Sequence, residues 1–151
     1  MQYTHDDAGL LAQPIGYWSW AAHTSVVTYI RRGLTTVGLT QPQWWVLNQL
    51  GEDESGKGRD SLTQMLQGYL GVGDQLQVDI DDLIARALVT NDDAGRLRIT
   101  DDGTVVVKEA AEIQRESLAQ IHNGVSDDEL LTTMKVLQRM IHNTDGKFWH
   151  H

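Results

Sequence analysis

The chain of 151 residues contains no cysteine, two prolines and one phenylalanine. The lack of cysteine excludes disulfide bonds, thiol redox chemistry and cysteine-ligated metal sites. No apolar run approaches the roughly 18 residues that a membrane-spanning helix requires. The first residues, 1–7, are polar and acidic and do not resemble a signal peptide. We therefore expect a cytoplasmic protein that does not associate with membranes.

Positive charge is also scarce. Twelve lysines and arginines stand against 21 aspartates and glutamates, which gives a formal net charge of -9. This deficit counts against non-specific attraction to nucleic acid, because contacts to phosphates supply most of that affinity. A local basic stripe still functions within an acidic protein, so the net charge does not exclude DNA as a partner.

The signatures of catalysis and of metal binding are missing as well. The sequence has no Walker loop, nucleophile elbow or dinucleotide fingerprint. Its six histidines include no pair one helical turn apart, which is the spacing of a helical zinc site. His150 and His151 read as part of a tag or a frayed tail. We therefore expect neither an enzyme nor a protein that holds a metal or another cofactor.

A central stretch, residues 73–100, has the pattern of a helix followed by a short β-hairpin. Apolar residues recur at helical spacing up to position 87, and residues 88–89 and 96–99 have strand character. The polar segment 92–95 supplies the turn between the strands. A preceding short helix from Ser61 ends at a glycine-containing turn. Helix, turn, helix and hairpin in this order are typical of a winged helix-turn-helix, which usually reads DNA.

Longer helices are predicted on both sides of this unit. An apolar stripe with steps of three and four residues runs along residues 14–38. Thr40 and Gln43 form a capping box for the next helix, and Ser126 and Glu129 form one for the last helix. Thr100 caps a long helix after the hairpin. The fold class is therefore mainly α with a small β-hairpin wing.

The terminal helices are apolar on more than one side, so we expect them to form a dimerisation layer. The predicted organisation is a flexible arm, one domain and a tail. The domain comprises the winged helix-turn-helix, about 40–100, and N- and C-terminal dimerisation helices, about 14–38 and 101–143. These parts follow in the order 1–13, 14–146 and 147–151.

Three segments of the chain resemble the MarR family of bacterial transcriptional regulators. Residues 39–47 are similar to the family's second helix, with a Thr-x-x-Gln-aromatic pattern. Residues 83–89 are similar to the end of its recognition helix, and residues 97–103 to its junction of apolar residue, Thr, x, x and Gly after the wing. A fourth similarity lies at residues 125–130. The resemblance as a whole covers roughly residues 15–143, nearly the whole chain.

The resemblance implies a homodimer that binds double-stranded DNA. Each subunit would place its recognition helix in a major groove and its wing in the minor groove. Small organic ligands of this family often bind between the dimerisation layer and the DNA-binding lobe. The resemblance therefore implies a transcriptional regulator that responds to a small aromatic or organic effector.

The candidate DNA-binding residues are cations and amides of the predicted helix-turn-helix and wing. Arg96 and Arg98 alternate along a strand, so both point to one face. Glutamines near the start of the recognition helix have the chemistry to read base edges, although they also suit a solvated surface. The complete set is Lys57, Arg59, Gln75, Gln77, Arg86, Arg96 and Arg98.

Aromatic residues of the first two long helices are the candidates for a ligand pocket. Trp44 and Trp45 are adjacent and point about 100° apart on a helix, so both cannot face one core. Large aromatic side chains on helices also serve as core or dimer packing. The candidate ligand-binding set is Tyr17, Trp18, His23, Trp44 and Trp45.

The recognition helix is acidic where a DNA-binding helix is usually basic. It carries Asp74, Asp79, Asp81 and Asp82 against a single cation, Arg86. The turn of the wing also lacks the Asp-x-Arg motif that is common in the family. The leading hypothesis remains a dimeric, ligand-responsive DNA-binding regulator. The alternative is a module of the same fold that binds ligands or proteins and has lost ordinary DNA binding.

Overall fold

The computed structural model describes residues 1–52, 55–70 and 75–147. The described chain is mainly helical with one antiparallel hairpin, which confirms the predicted fold class. Its elements are α1 (Asp7–Leu11), α2 (Ile15–Thr35), α3 (Gln41–Gly51), α4 (Arg59–Leu70), α5 (Gln75–Ala85), β1 (Val89–Asn91), β2 (Leu97–Ile99), α6 (Asp101–Ile121) and α7 (Asp127–Asn143).

The predicted helix caps are present. The Thr40 hydroxyl accepts a hydrogen bond from the Gln43 amide while the Gln43 side chain accepts one from the Thr40 amide. Ser126 and Glu129 form the same reciprocal box at the start of α7. Thr100 accepts from the Gly103 amide and begins α6 directly after the hairpin. Each cap satisfies backbone donors that the first helical turn leaves unpaired.

The segment predicted as a flexible arm contains a short helix. The carboxylate of Asp6 accepts a hydrogen bond from the Gly9 amide at 2.8 Å and so begins α1. No residue of α1 is buried. The acidic residues that we interpreted as part of an arm therefore include a helix cap, a role that aspartate fills well.

Helix α3 is the centre of the fold, since it contacts α2, α4, α5, α6 and β2. Val46 and Leu47 of α3 are fully buried, and Trp44 and Trp45 are half-buried beside the same core. Each buried leucine, isoleucine or valine side chain stabilises the fold by about 1.5–3 kcal/mol. The core therefore holds α2, α4, α5 and α6 around α3.

The hairpin pairs Val89 with Ile99 and Asn91 with Leu97 in an antiparallel register. Its strands are three residues long, so the wing is short, as the sequence indicates. Lys57 adds a backbone bridge on the other edge of β2, with two hydrogen bonds to Leu97 of 2.9 and 3.0 Å. The loop before α4 thus fixes the base of the wing to the helices.

Helices α2 and α6 cross closely at Gly33. A β-carbon at that position would lie 2.8 Å from Cγ2 of Ile113, so the close approach requires glycine. Helix α7 differs from the other long helices, α2 and α6, since it has an apolar side but no buried residue. Within the described ranges, no helix is both long and apolar enough to cross a bilayer.

Candidate nucleic-acid interface

Helix α5 turns one side to the core and the other to solvent. Leu76, Ile80 and Leu83 are fully buried, whereas Val78 is 71% exposed. The helix packs on α3 and α4, as the recognition helix of a helix-turn-helix does. Of the predicted glycine-containing turn, residues 70–73, positions 71–73 lie outside the described residues. The solvent-facing side of α5 is the candidate DNA-binding surface.

Two of the acidic residues of α5 bind the start of α3. The Thr40 hydroxyl donates a hydrogen bond of 2.7 Å to Asp79, and the Gln43 amide group donates one of 2.8 Å to Asp82. Gln43 is 5% exposed, so this bond also satisfies a buried amide. Carboxylates are favoured at a helix N-terminus, where the peptide dipoles create partial positive charge. Asp79 and Asp82 therefore attach α5 to α3.

A third acidic residue of α5 is paired with α4. Arg59 donates a hydrogen bond of 2.7 Å to Oδ1 of Asp81 and one of 3.1 Å to the side chain of Gln77. Gln77 in turn donates to the hydroxyl of Thr63 at 2.9 Å. The side chains of Arg59 and Asp81 are 31% and 67% exposed, so the pair remains accessible from solvent. Its own contribution to stability is at most about 1 kcal/mol.

Arg86 closes the other end of α5. Its guanidinium donates 2.9 Å to the carbonyl oxygen of Gly38 and contacts Asp82 at 3.3 Å. Gly38 has a φ of +68° in the turn between α2 and α3, a conformation that favours glycine. The single cation of the recognition helix thus bridges that helix to the preceding turn.

The predicted cations of the wing also have partners within the protein. Arg96 donates to the carbonyl oxygen of Gly56, in part through a very short contact. Lys57 donates 2.9 Å to the carbonyl oxygen of Gln49 at the end of α3. These bonds anchor the wing to the loop before α4. A phosphate that binds either side chain must compete with these carbonyl groups.

Asp92 organises the turn of the wing. Its Oδ1 accepts from the backbone amides of Ala94 and Arg96, and its Oδ2 accepts from Arg98 at 3.1 Å. The hydrogen bond from the Arg96 amide, supported by the Arg98 side chain and the Ala94 amide, lowers the pKa of Asp92 below its ordinary value. Each of these donors stabilises the charged carboxylate. The folded turn therefore favours the ionised form of Asp92.

We expect the wing turn to loosen in acid. Because the pKa of Asp92 is lowered in the folded protein, its stabilising effect is complete above the ordinary carboxyl pKa of about 4 and is lost as the pH falls through the lowered pKa. In NMR spectra, the amide signal of Arg96 should shift through that range towards its position in Asp92→Asn. A signal whose titration is the same in Asp92→Asn would contradict this assignment.

The candidate DNA-binding residues therefore fall into two groups. One group belongs to the wing and the loop beside it, and the other flanks α5. Gln77 is half-buried in the hydrogen-bond network of Arg59, and the side chain of Gln75 lies outside the described residues. The wing group is Lys57, Arg96 and Arg98, and the helix group is Arg59, Gln77 and Arg86.

The candidate ligand-binding residues lie on two helices. Tyr17 and Trp18 are exposed near the start of α2, with ring centroids 5.6 Å apart, and His23 is exposed on the same helix. On α3, Trp45 contacts Tyr69 of α4 at 5.5 Å. In the described part of the chain, no ring contact joins the aromatic residues of α2 to those of α3.

A cleft that the sequence did not indicate lies between α3, β2 and α6. It has a volume of about 570 Å³. Leu50, Ile99 and Val107 form apolar parts of its lining, and Arg98 and Lys108 supply positive charge. A cleft with an apolar lining and a few polar groups is typical of small-molecule sites. Arg98 thus connects this cleft to the wing turn through Asp92.

Several solved structures share this fold. No protein-family model and no curated protein matches the sequence. A MarR family transcriptional regulator from Silicibacter pomeroyi has a TM-score of 0.72 and 20% identity, over 93% of this chain and 99% of that one. The chain has the fold of the MarR regulators. This finding confirms the resemblance at the level of the fold.

Two further MarR-fold structures contain bound molecules. A MarR family protein of Mycobacterium tuberculosis in complex with DNA has a TM-score of 0.66 and 16% identity, over 85% of this chain and 98% of that one. CouR from Rhodococcus jostii, bound to p-coumaroyl-CoA, has a TM-score of 0.68 and 19% identity, over 86% of this chain and 93% of that one. At these sequence identities the similarity shows a shared fold and no more.

Sequence reasoning missed the partners of the acidic residues within this MarR fold. Thr40 and Gln43 were identified as a capping box, but not as the donors to Asp79 and Asp82. The available signal was the three-residue spacing of the two aspartates, which places them on one side of a helix. Among the described residues, no group of three or more acidic or histidine side chains is arranged to hold a metal ion.

Proposed function

We propose that the protein is a homodimeric, ligand-responsive regulator that binds double-stranded DNA. The observation that carries this proposal is the way in which α5 is held. Asp79, Asp81 and Asp82 each accept a hydrogen bond from a neighbouring helix or its cap residue. These acidic residues stabilise the packing of the helix-turn-helix, and the donors partly offset their negative charge. The acidic composition of α5 is therefore compatible with docking in a major groove.

The contacts to phosphate are proposed for the cations on both sides of α5 and on the wing. The side chains of Arg59, Arg86 and Arg98 are 31%, 36% and 42% exposed, so each reaches solvent while it is paired. Lys57 and Arg96 complete the proposed phosphate contacts, and the amides of Gln75 and Gln77 are proposed to reach base edges. An arginine binds phosphate oxygens through the same planar donors that it offers to a carboxylate.

The dimer is supported by the unpartnered apolar side of α7. Leu131 and Met134 are 51% and 52% exposed, and no residue of this 17-residue helix is buried. An amphipathic helix gains little stability until its apolar side is covered. Tyr17 and Trp20, three positions apart with ring centroids 6.1 Å apart, leave an apolar side of α2 exposed in the same way. A second copy of the chain, related by a two-fold axis, would cover both helices.

The effector is proposed to be a small organic molecule, which is supported by the p-coumaroyl-CoA complex of CouR. Two locations in this chain suit such a ligand. One is formed by the aromatic residues predicted from the sequence, Tyr17, Trp18, His23, Trp44 and Trp45. The other is the cleft between α3, β2 and α6, where Arg98 would link the ligand to the wing.

A binding titration with fluorescent duplexes from the gene's own upstream region tests the proposed function. We expect binding at about 50 mM salt that weakens by less than about a thousandfold at 200 mM. The salt dependence should be shallow because each cation must exchange a partner in the protein for a phosphate. A fragment of equal length from within a coding region is the control.

Failure to bind any duplex at low salt would contradict the proposal, because phosphate attraction is strongest there. It would favour the alternative, a module of this fold that binds ligands or proteins. Recovery of a defined protein complex by a pull-down would then support that alternative.

A further inference from the structure

The solvent-facing side of α5 places an exposed apolar side chain next to an exposed acidic one. Val78 is 71% exposed, and the Asp81 side chain is 67% exposed. The two residues are three positions apart, so they are neighbours on the helix surface. Asp79 and Asp82 are bonded to α3 instead. Asp81 is therefore the described acidic residue of α5 that is bonded to α4 rather than to α3.

Arg59 fixes the Asp81 carboxylate and leaves one of its oxygens available. The guanidinium of Arg59 bonds Oδ1 of Asp81, and Gln77 and Thr63 continue the network behind it. Within the described part of the chain, no donor bonds Oδ2 of Asp81. The positive charge of Arg59 offsets the repulsion between this carboxylate and DNA phosphates. The site thus presents an oriented hydrogen-bond acceptor to solvent.

We propose that Asp81 is a specificity-determining residue that accepts a hydrogen bond from an exocyclic amino group in the major groove. The inference rests on the proposed function, since it requires α5 to enter that groove. An ionised carboxylate only accepts hydrogen bonds, so it is repelled by the acceptor atoms of guanine and thymine. The amino groups that remain are those of cytosine and adenine.

Cytosine is the expected base. Its amino group is its only polar group in the major groove, whereas adenine places its N7 acceptor beside the amino group. That N7 would repel the second carboxylate oxygen. Val78 lies about 4.5 Å from Asp81 along the helix axis, towards its N-terminus, a distance of the same order as the roughly 3.4 Å rise per base pair. We expect Val78 to pack on a thymine methyl group next to the cytosine.

Selection of bound duplexes from a random library tests this inference, because the method does not require a known operator. Three proteins are compared, the wild type, Asp81→Asn and Asp93→Asn. The last variant removes the same charge from the turn of the wing, where Asp93 is exposed. The wild type and Asp93→Asn should enrich one cytosine column in each half-site. Asp81→Asn should lose that preference and enrich adenine, because asparagine bonds both N6 and N7 of adenine.

The selected site then serves in quantitative titrations. Replacing the cytosine by pyrimidin-2-one, which lacks the amino group, should weaken wild-type binding about five- to tenfold. The same replacement should leave the affinity of Asp81→Asn nearly unchanged. An adenine at this column in the wild-type selection would overturn the preference for cytosine. A motif that is identical in the wild type and Asp81→Asn would overturn the role of Asp81 itself.

These outcomes separate the inference from the proposed function. If the wild type enriches no motif and binds no duplex at low salt, the proposed function fails. If it enriches a motif that does not depend on Asp81, the proposed function holds and only the inference fails. Circular dichroism of Asp81→Asn should match that of the wild type, since an exposed ion pair contributes little to stability.

Discussion

Replacing Gly103 with alanine is expected to lower the free energy of unfolding by about 2 kcal/mol. Gly103 is buried in the first turn of α6, and its amide donates to the cap residue Thr100. A β-carbon there would overlap the carbonyl oxygen of Leu88 and lie 2.8 Å from Cγ1 of Ile99. Alanine is favoured over glycine in helices by about 1 kcal/mol, but the clash involves backbone and outweighs this gain.

The clash would act on the junction between the recognition helix and the wing. The carbonyl oxygen of Leu88 accepts hydrogen bonds from both the amide and the hydroxyl of Thr100. Displacing Leu88 would weaken these bonds and change the position of β1 relative to α6. We therefore expect Gly103→Ala to weaken DNA binding as well as stability.

Urea denaturation at a fixed protein concentration measures the effect, because a dimer's stability depends on concentration. Gly51→Ala is the matched control, since a β-carbon at the end of α3 meets nothing within 4 Å. That variant should be as stable as the wild type or slightly more stable. A urea midpoint for Gly103→Ala equal to that of Gly51→Ala would show that the junction tolerates the methyl group.

Local patterns were sufficient to predict the elements of this fold. The capping boxes and the apolar periodicity depend on residues within one or two helical turns, so they are readable along the chain. The short helix α1 was missed because Asp6 resembles any other acidic residue of a polar segment. Its cap is visible only once the bond to Gly9 is known.

The chemistry of the interface could not be predicted in the same way. Thr40 and Asp79 are 39 positions apart, and Arg59 and Asp81 are 22 apart. Composition alone therefore counted the aspartates as repulsive charges, although the fold brings a donor to each of the three that the structure describes, Asp79, Asp81 and Asp82. Asp81 has an accessible acceptor oxygen because it lies on the side of α5 away from the core. Periodicity predicted the core side correctly, since Leu76 and Ile80 are buried.

The largest effect on function is expected from a charge on the apolar side of α7. In Met134→Asp, each subunit would bring a carboxylate into the proposed dimer interface. A charge at an interface position of this kind weakens the free energy of association by at least about 2 kcal/mol. In a two-fold dimer the substitution is present on both subunits, so this loss occurs twice. The dissociation constant of the dimer should rise at least a hundredfold. Sedimentation velocity over a concentration series measures this change.

Thr132→Asp is the matched control, because it adds the same charge to the same helix. Position 132 is exposed and lies about 160° around the helix from position 134. This variant should sediment like the wild type. Equal dissociation constants for the two variants would mean that a negative charge anywhere on α7 weakens the dimer. A dissociation constant of Met134→Asp equal to that of the wild type would exclude α7 from the interface.

Binding to DNA then distinguishes loss of the dimer from loss of the fold. Two linked DNA-binding units bind a duplex with two half-sites about 10²–10⁴ times more tightly than one unit does. The affinity of Met134→Asp for such a duplex should therefore fall by that factor. On a duplex with one half-site, its affinity should equal that of the wild type. The reason is that α2, α4, α5 and α6 pack around α3, whereas α7 has few contacts with any of these helices. A variant that fails on the half-site as well would instead indicate that α7 supports the DNA-binding unit directly.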